Sequence, residues 1–233
     1  MANRNLAAAA MLLTAMALFG LIDNFMRLAA ETGGLWQFHF LRGLLAVALI
    51  LPVAAMWHQS LRPVSAVAVA VRSLFSSLAM VIYFGGLGFM PIAQVLAGLF
   101  TAPMFVVIFS VLFFGETIGP RRIIAVLIGF AGVILALRPD TGAIGWGTIM
   151  PVLAGAFYGM GNLLTRRWCA TEGTLTMLTG FFGMMALWGG LGCLVLWVWP
   201  VAVPSGGDGW AVRGWVMPQG GFLVMIIVQA VGS

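Results

Sequence analysis

The chain contains no lysine and few charged residues of any kind. Of its 233 residues, 7% are charged and 62% are hydrophobic. Because a soluble domain needs roughly a quarter of its residues charged, this composition indicates a protein whose solvent is largely lipid. All 11 basic residues are arginines, against 6 acidic residues, and they stand at the ends of apolar runs. That placement is typical of membrane proteins and argues against nucleic-acid binding.

Cysteine, histidine and catalytic motifs are scarce as well. Cys169 and Cys193 have no CxxC spacing and no nearby histidine, so free thiols are expected instead of a disulfide or a metal site. The chain has no GxSxG serine, no HExxH helix and no Walker lysine. We therefore expect neither an enzyme, nor a metal, nor a cofactor. Two function classes remain compatible with this composition: a structural or assembly subunit of the membrane, and a membrane enzyme without a recognisable motif.

Long uncharged runs predict membrane-spanning helices, each of which needs about 20 apolar residues. The predicted spans are 6–28, 35–57, 69–88, 92–114, 120–137, 143–165 and 174–199, with an eighth begun at 220. Residues 73–115 include no charge, and a run of this length must turn back within the membrane, at Gly85, Gly86, Gly88 and Pro91. Trp210 and Trp215 indicate that residues 200–219 lie on the membrane interface.

The distribution of arginine predicts a cytoplasmic N-terminus. In that orientation the inner ends of the spans carry seven arginines and the outer ends four, as the positive-inside rule favours. The inner set is Arg4, Arg62, Arg72, Arg121, Arg122, Arg166 and Arg167, and the outer set is Arg27, Arg42, Arg138 and Arg213.

An internal repeat relates residues 17–32 to residues 156–171. At an offset of 139, four positions are identical, and Asp23 aligns with Asn162. Five spans precede the second copy, so it enters the membrane from the opposite side. Such inverted repeats allow a transporter to open to either face around one central site. We expect residues 1–139 to form a first five-helix repeat and residues 140–233 to form part of a second.

The quoted segments resemble the drug/metabolite transporter superfamily of EamA type, with an S-adenosylmethionine-carrier-like branch among the possibilities. The matching stretches are "LFGLIDNFMRLA", "FHFLRGLLA", Arg72, "LFTAPMFVVIFSVLFFGETIGPRR" and "IGFAGVILALRP". The resemblance implies an all-α polytopic bundle of two inverted five-helix repeats, the second truncated here. It also implies a secondary transporter that exports or exchanges a small metabolite across a bacterial inner membrane. The expected partners are this substrate and the lipid bilayer, with a homodimer left open.

Asp23 is the most notable charged residue, because it ends a run of 17 uncharged residues. Arg27 lies one helical turn further on, so one interpretation is an ion pair at the end of the first span. The other is a carboxylate that senses protons or cations at the outer mouth of a cavity. Arg42 matches an arginine of the family, and either snorkels to lipid headgroups or pairs with Asp23 or Glu31. His39 is expected to be a satisfied interfacial histidine.

Uncharged polar residues within the spans are candidates to line a substrate cavity or to bond a neighbouring helix. Together with Asp23 these candidates are Asn24, Tyr83, Gln94, Tyr158, Asn162 and Gln229. The loop "GETIGPRR" is interpreted as topological: Glu116 favours the start of the next helix, and Arg121 and Arg122 face the inner headgroups. Small residues predict faces where helices approach closely, namely Gly155, Gly159, Ala125, Gly129 and Gly132.

Overall fold

The computed structural model describes residues 20–137 and 146–232, together with positions 11, 13, 14 and 17. Residues 20–23 are helical. The helices that follow are α1 (Met26–Thr32), α2 (Leu35–Met56), α3 (Ala66–Leu87), α4 (Ile92–Leu99), α5 (Ala102–Phe114), α6 (Pro120–Leu137), α7 (Trp146–Trp168), α8 (Thr174–Val198) and α9 (Gly220–Gly232). Arg4, Arg138, part of the predicted first span and the repeat boundary at 139–140 lie outside the described residues, as does the side chain of Arg122.

The structure confirms the predicted all-helical membrane bundle. Among the described residues, four stretches are long and apolar enough to cross a bilayer, namely Leu35–Met56, Ala66–Leu87, Ile92–Phe114 and Thr174–Val198. The predicted turn within the long uncharged run is also confirmed, since α3 ends at Leu87 and α4 begins at Ile92. The third of these stretches is interrupted between α4 and α5, where Pro103 in the first turn of α5 has no N–H to continue the hydrogen-bond ladder.

Local sequence explains where several helices begin and end. The Ser65 hydroxyl accepts a hydrogen bond from the backbone N–H of Ala68 and so caps the start of α3. Gly115 ends α5 in the left-handed conformation, at φ 62°, which costs glycine little. Pro120 then opens α6, because a first helical residue needs no N–H partner.

The bundle has two distinct ends. At one end, which we call the basic end, the start of α3 meets the end of α7 through a hydrogen bond from Arg72 to Thr165. The loops and helix termini here carry Arg62, Arg121, Arg166 and Arg167. At the opposite end the residue 199–219 segment, which joins α8 to α9, contacts the start of α2 and the end of α3. We call this segment the lid and this end the lid end.

Small residues allow close approach between the principal helix pairs. α2 packs along α8, and α3 packs along α7. A Cβ added at Gly159 would lie 2.8 Å from the carbonyl oxygen of Ala102, and one at Gly155 would overlap Thr101, so the predicted small face of α7 is confirmed. By contrast, a Cβ at Gly129 or Gly132 on α6 would meet no described atom within 4 Å.

Two glycines of α8 should respond to alanine in opposite directions. At Gly189 an added Cβ would overlap the backbone nitrogen of Phe40, which cannot move without shifting α2, whereas Gly183 has open space. Gly189→Ala should lower the free energy of unfolding by ~1–3 kcal/mol through overpacking. Gly183→Ala should leave it unchanged or raise it by up to about 1 kcal/mol. Thermal midpoints of both variants in detergent check this, and equal midpoints would contradict the packing.

Candidate functional site

Asp23 is the centre of a polar cluster that joins three segments of the bundle. The Tyr83 hydroxyl on α3 donates to Asp23 Oδ2 at 2.7 Å, and the Gln229 amide on α9 donates to Oδ1 at 2.8 Å. Tyr83 and Gln229 are buried and Asp23 is half-buried. The structure therefore brings together three of the predicted cavity residues, and both carboxylate oxygens of Asp23 have a donor.

The expected ion pair between Asp23 and Arg27 is not formed among the described residues. The helix breaks between them, at Asn24 and Phe25. The Asn24 amide donates to the carbonyl oxygen of Gly20 at 2.6 Å, the oxygen that a regular helix would offer to the backbone N–H of Asn24. Beyond this break Arg27 is exposed.

Arg42 is buried beside the cluster and does not snorkel to the surface. Its side chain is 4% exposed, and Asp23 is the carboxylate whose charge acts on it. Its guanidinium carbon lies over three phenyl rings, 5.0 Å from the centroid of Phe84, 5.6 Å from Phe182 and 5.9 Å from Phe38. This aromatic cage stabilises a cation that has left water. The alternative partner Glu31 is exposed.

His39 differs from the satisfied interfacial histidine that we expected. Its side chain is fully buried, one turn from Arg42, and its ring lies 5.4 Å from both Phe38 and Phe84. Within the described part of the chain, neither of its ring nitrogens has a hydrogen-bond partner. The sequence holds no signal for this, because the burial of His39 depends on its packing against Phe84 of α3. A buried unpaired donor costs about 1–3 kcal/mol, so His39 calls for an explanation.

A groove between α5, α6 and α7 holds two more of the predicted cavity residues. Its volume is about 760 Å³, within the range for small-molecule sites. Tyr158, Asn162 and Thr101 are polar residues of its lining, and its walls also include Pro103 and Gly129. A second groove of about 810 Å³ shares Val107 with the first and continues between α5 and α6 to Glu116 at the basic end. Gln94 lines neither groove.

Glu116 makes contacts that its topological interpretation did not include. It forms ion pairs with Arg166, at 3.3 Å, and with Arg167 at the end of α7. These exposed pairs are worth little individually, but they link the loop between α5 and α6 to the end of α7 at the basic end. Arg121, which was interpreted in the same way, is exposed in the first turn of α6.

The lid closes the opposite end of the bundle, and the expectation that it lies on the membrane interface is wrong for Trp210. That side chain is 1% exposed, and its indole N–H donates to the Phe84 carbonyl oxygen at 2.9 Å. Arg213 donates to the carbonyl oxygens of Ala30 and Gly33 at 2.7 and 2.8 Å. These hydrogen bonds to carbonyl oxygens at the ends of α1 and α3 hold the lid against the bundle, whereas Trp215 is exposed.

Comparison with known proteins gives this arrangement a context. The chain matches the EamA-like transporter family over residues 6–138, more than half of its length. The chain belongs to this family. The family and the apolar helices indicate a multi-pass integral membrane protein.

The similar proteins with names are all transporters. A riboflavin transporter from Rhizobium johnstonii is 27% identical over 67% of this chain and 46% of its own length. A riboflavin transporter from Vibrio cholerae is 32% identical over 38% of this chain and 30% of its own. An S-adenosylmethionine uptake transporter from Rickettsia bellii is 25% identical over 46% and 37%. The chain thus spans less than half the length of each of these relatives, and no solved structure matches it significantly.

The two polar regions hold five of the seven predicted cavity residues, and Asn24 and Gln94 belong to neither. Asp23, Tyr83 and Gln229 meet on the lid side, whereas Tyr158 and Asn162 line the groove. Sequence reasoning missed Phe84 and Phe38, because aromatic residues in apolar runs look like ordinary core, and it assigned Trp210 to the membrane interface. The signal available for Trp210 was its position in a segment rich in glycine and proline, where a loop leaves the membrane.

Proposed function

We propose that the protein is a secondary transporter that moves a small metabolite across the membrane by alternating access. The observation that carries this proposal is an asymmetry of the bundle. The lid, with the buried Trp210, closes one end, while a groove that contains Tyr158 and Asn162 extends towards Glu116 at the other. Closure at one end and opening at the other is what an alternating-access transporter shows in one of its two states.

The substrate class follows from the relatives and from the lining of the groove. Riboflavin and S-adenosylmethionine both combine a planar heteroaromatic ring with hydroxyl groups. A mostly apolar groove whose lining includes the polar residues Thr101, Tyr158 and Asn162 suits a molecule of this mixed character. We therefore propose a metabolite with a fused heteroaromatic ring as the substrate.

The direction of transport is proposed to be exchange. The resemblance favours export or exchange, and one relative is named an uptake transporter. Exchange is compatible with both. A structural subunit would need no groove with polar groups, and this disfavours the non-transporting alternative.

Two further proposals concern architecture. Spans one and six are proposed to be related by a pseudo-twofold axis in the membrane plane, as the offset-139 repeat suggests. Residues 1–139 would then be one repeat and residues 140–233 part of another. A homodimer also stays a prediction.

Transport in sealed vesicles tests the function. The full chain is reconstituted and loaded with unlabelled riboflavin or S-adenosylmethionine, and uptake of the labelled compound is followed with and without a pH gradient. Exchange requires uptake that depends on the internal substrate. Uptake no faster than in empty vesicles, across a panel of flavins, nucleosides and adenosyl compounds, would reject the proposal.

Orientation has its own expected result. The described arginines concentrate at the basic end, which we propose to be cytoplasmic, with the N-terminus on the same side. Gly119→Cys at this end and Ser205→Cys in the lid are both exposed positions. In a background without Cys169 and Cys193, an impermeant maleimide added to intact spheroplasts should label Ser205→Cys only. Labelling of Gly119→Cys alone would reverse the topology.

A further inference from the structure

Trp210 fills a pocket that is built from aromatic walls. Its ring lies 5.9 Å from Phe38 and 6.5 Å from Phe222, measured between centroids. On a further side the backbone of Gly88 approaches so closely that an added Cβ would lie 2.7 Å from the indole. The Phe84 carbonyl oxygen accepts the indole N–H. The pocket therefore fits a fused planar ring that carries a hydrogen-bond donor on its edge.

The surroundings of the pocket hold more polar groups than the indole of Trp210 needs as partners. Phe38 and Phe84, which contact Trp210, are also the ring neighbours of His39, whose two nitrogens have no partner within the described chain. Tyr83 and its bond to Asp23 are adjacent to Phe84. Indole has a single polar atom, which Phe84 already satisfies. A heterocycle with several ring heteroatoms could also satisfy His39, and this would remove the cost of an unpaired buried imidazole.

Trp210, which occupies the pocket, belongs to the lid, and the lid is a segment that can move away from the bundle. The lid contains no regular helix beyond the short turn Gly206–Gly209, and Gly206 adopts a positive φ of 72°. Its anchors are hydrogen bonds, including a reciprocal pair between the Gln37 side chain and the Val216 backbone. Such bonds exchange with water at modest net cost when a lid opens.

We propose that the pocket formed by Phe38, Phe84, Phe222 and Gly88 is a binding subsite for the fused heteroaromatic ring of the transported molecule, and that Trp210 occupies it when the lid end is closed. This rests on the proposed function and assigns the ring to a particular site. The incoming ring replaces the indole, donates to the Phe84 carbonyl oxygen and pairs with His39. Trp210 then refills the pocket as the substrate moves on.

Equilibrium binding to the purified full chain tests the competition between ring and indole. Trp210→Ala removes the competitor, so the Kd for S-adenosylmethionine or riboflavin should fall at least about tenfold. Trp197→Ala is the matched control, because Trp197 lies on α8 and is 80% exposed. It should leave the Kd unchanged. An unchanged or raised Kd in Trp210→Ala, or binding of neither probe to any variant, overturns the proposal.

Two further measurements test whether the pocket is a specific subsite for heterocycles or only an apolar cavity. In the Trp210→Ala background, His39→Phe should weaken binding of the heterocyclic probes about tenfold and leave binding of toluene, which has no heteroatom, unaltered. Equal effects on both kinds of probe, or no effect on either, overturn the subsite.

In otherwise native protein without Cys169 and Cys193, a thiol at Ala211→Cys should react faster with maleimide when the heterocyclic probe is saturating. No acceleration would mean that the lid does not yield to the ligand, even if Trp210→Ala fails to fold.

The two proposals fail in distinguishable ways. If vesicles exchange labelled substrate normally while Trp210→Ala and His39→Phe leave binding unchanged, the transporter stands and the subsite is rejected. If binding follows the expected pattern and no compound is exchanged, the subsite stands as a ligand site and transport is rejected.

Discussion

Replacement of Asp23 by leucine should reduce folded yield several-fold and lower the thermal midpoint in detergent by about 6–12 °C. The reason is that Tyr83 and Gln229 would each lose the carboxylate oxygen to which they donate. A buried donor that loses its acceptor costs ~1–3 kcal/mol. The field that Asp23 exerts on buried Arg42 would disappear as well. Asn24→Leu is the neighbouring control, because Asn24 is exposed and, within the described chain, its amide donates to the carbonyl oxygen of Gly20 on its own helix, and it should change the midpoint little.

A double-mutant cycle shows whether the bond to Tyr83 carries this effect. Tyr83→Phe removes the donor and retains the ring. Asp23→Leu combined with Tyr83→Phe should destabilise the protein by ~0.5–3 kcal/mol less than the sum of the single changes, because the Tyr83 hydroxyl, one of the two donors to Asp23, is no longer there to lose its acceptor. Strict additivity would mean that the hydrogen bond contributes nothing to stability.

The conservative change Asp23→Asn tests whether Asp23 couples transport to a proton gradient. If Asp23 carries the coupling proton, this variant should lose transport driven by a pH gradient and keep substrate exchange in the same vesicles. If Asp23 is only a structural partner, both activities should fall together with the folded yield. Normal yield with normal pH-driven transport would reject both roles.

Most of the fold could be predicted because lipid leaves the backbone few options. In a bilayer each long apolar run must satisfy its own N–H and C=O groups, which makes it helical. The bounds predicted for 35–57, 92–114 and 120–137 therefore lie within a residue of the observed outer limits, apart from the break between α4 and α5. The break at Asn24 was not predictable in this way, because it depends on where one amide side chain finds its acceptor.

The sequence predicted which residues belong to the candidate site, but not which of them lie together in the fold. Polar side chains within membrane spans cost free energy, so they are rare there and stand out in a sequence. This is why Asp23, Tyr83 and Gln229 were singled out. Their meeting depends on how three helices are rotated against each other, and packing between distant residues sets those rotations. The burial of Trp210 is an extreme case, since its acceptor is the carbonyl oxygen of Phe84, 126 positions away in sequence.

Filling the groove should abolish transport while leaving the fold intact. Gly129 lines the groove beside Tyr158 and Asn162, and a Cβ added there would meet no described atom within 4 Å. Gly129→Trp can therefore be accommodated in α6, and its indole would occupy space that the substrate needs. We expect labelled substrate exchange in vesicles to fall more than about tenfold, which corresponds to ~1.4 kcal/mol or more of lost binding.

Gly132→Trp is the matched control for this change. Gly132 is on the same helix three residues further on, is equally open, and does not line the groove. Both variants carry the same added volume and the same loss of a helical glycine, so their folded yields and thermal midpoints should agree. Exchange that survives in Gly129→Trp, or that is lost equally in Gly132→Trp, would show that the groove between α5, α6 and α7 is not the path of the substrate.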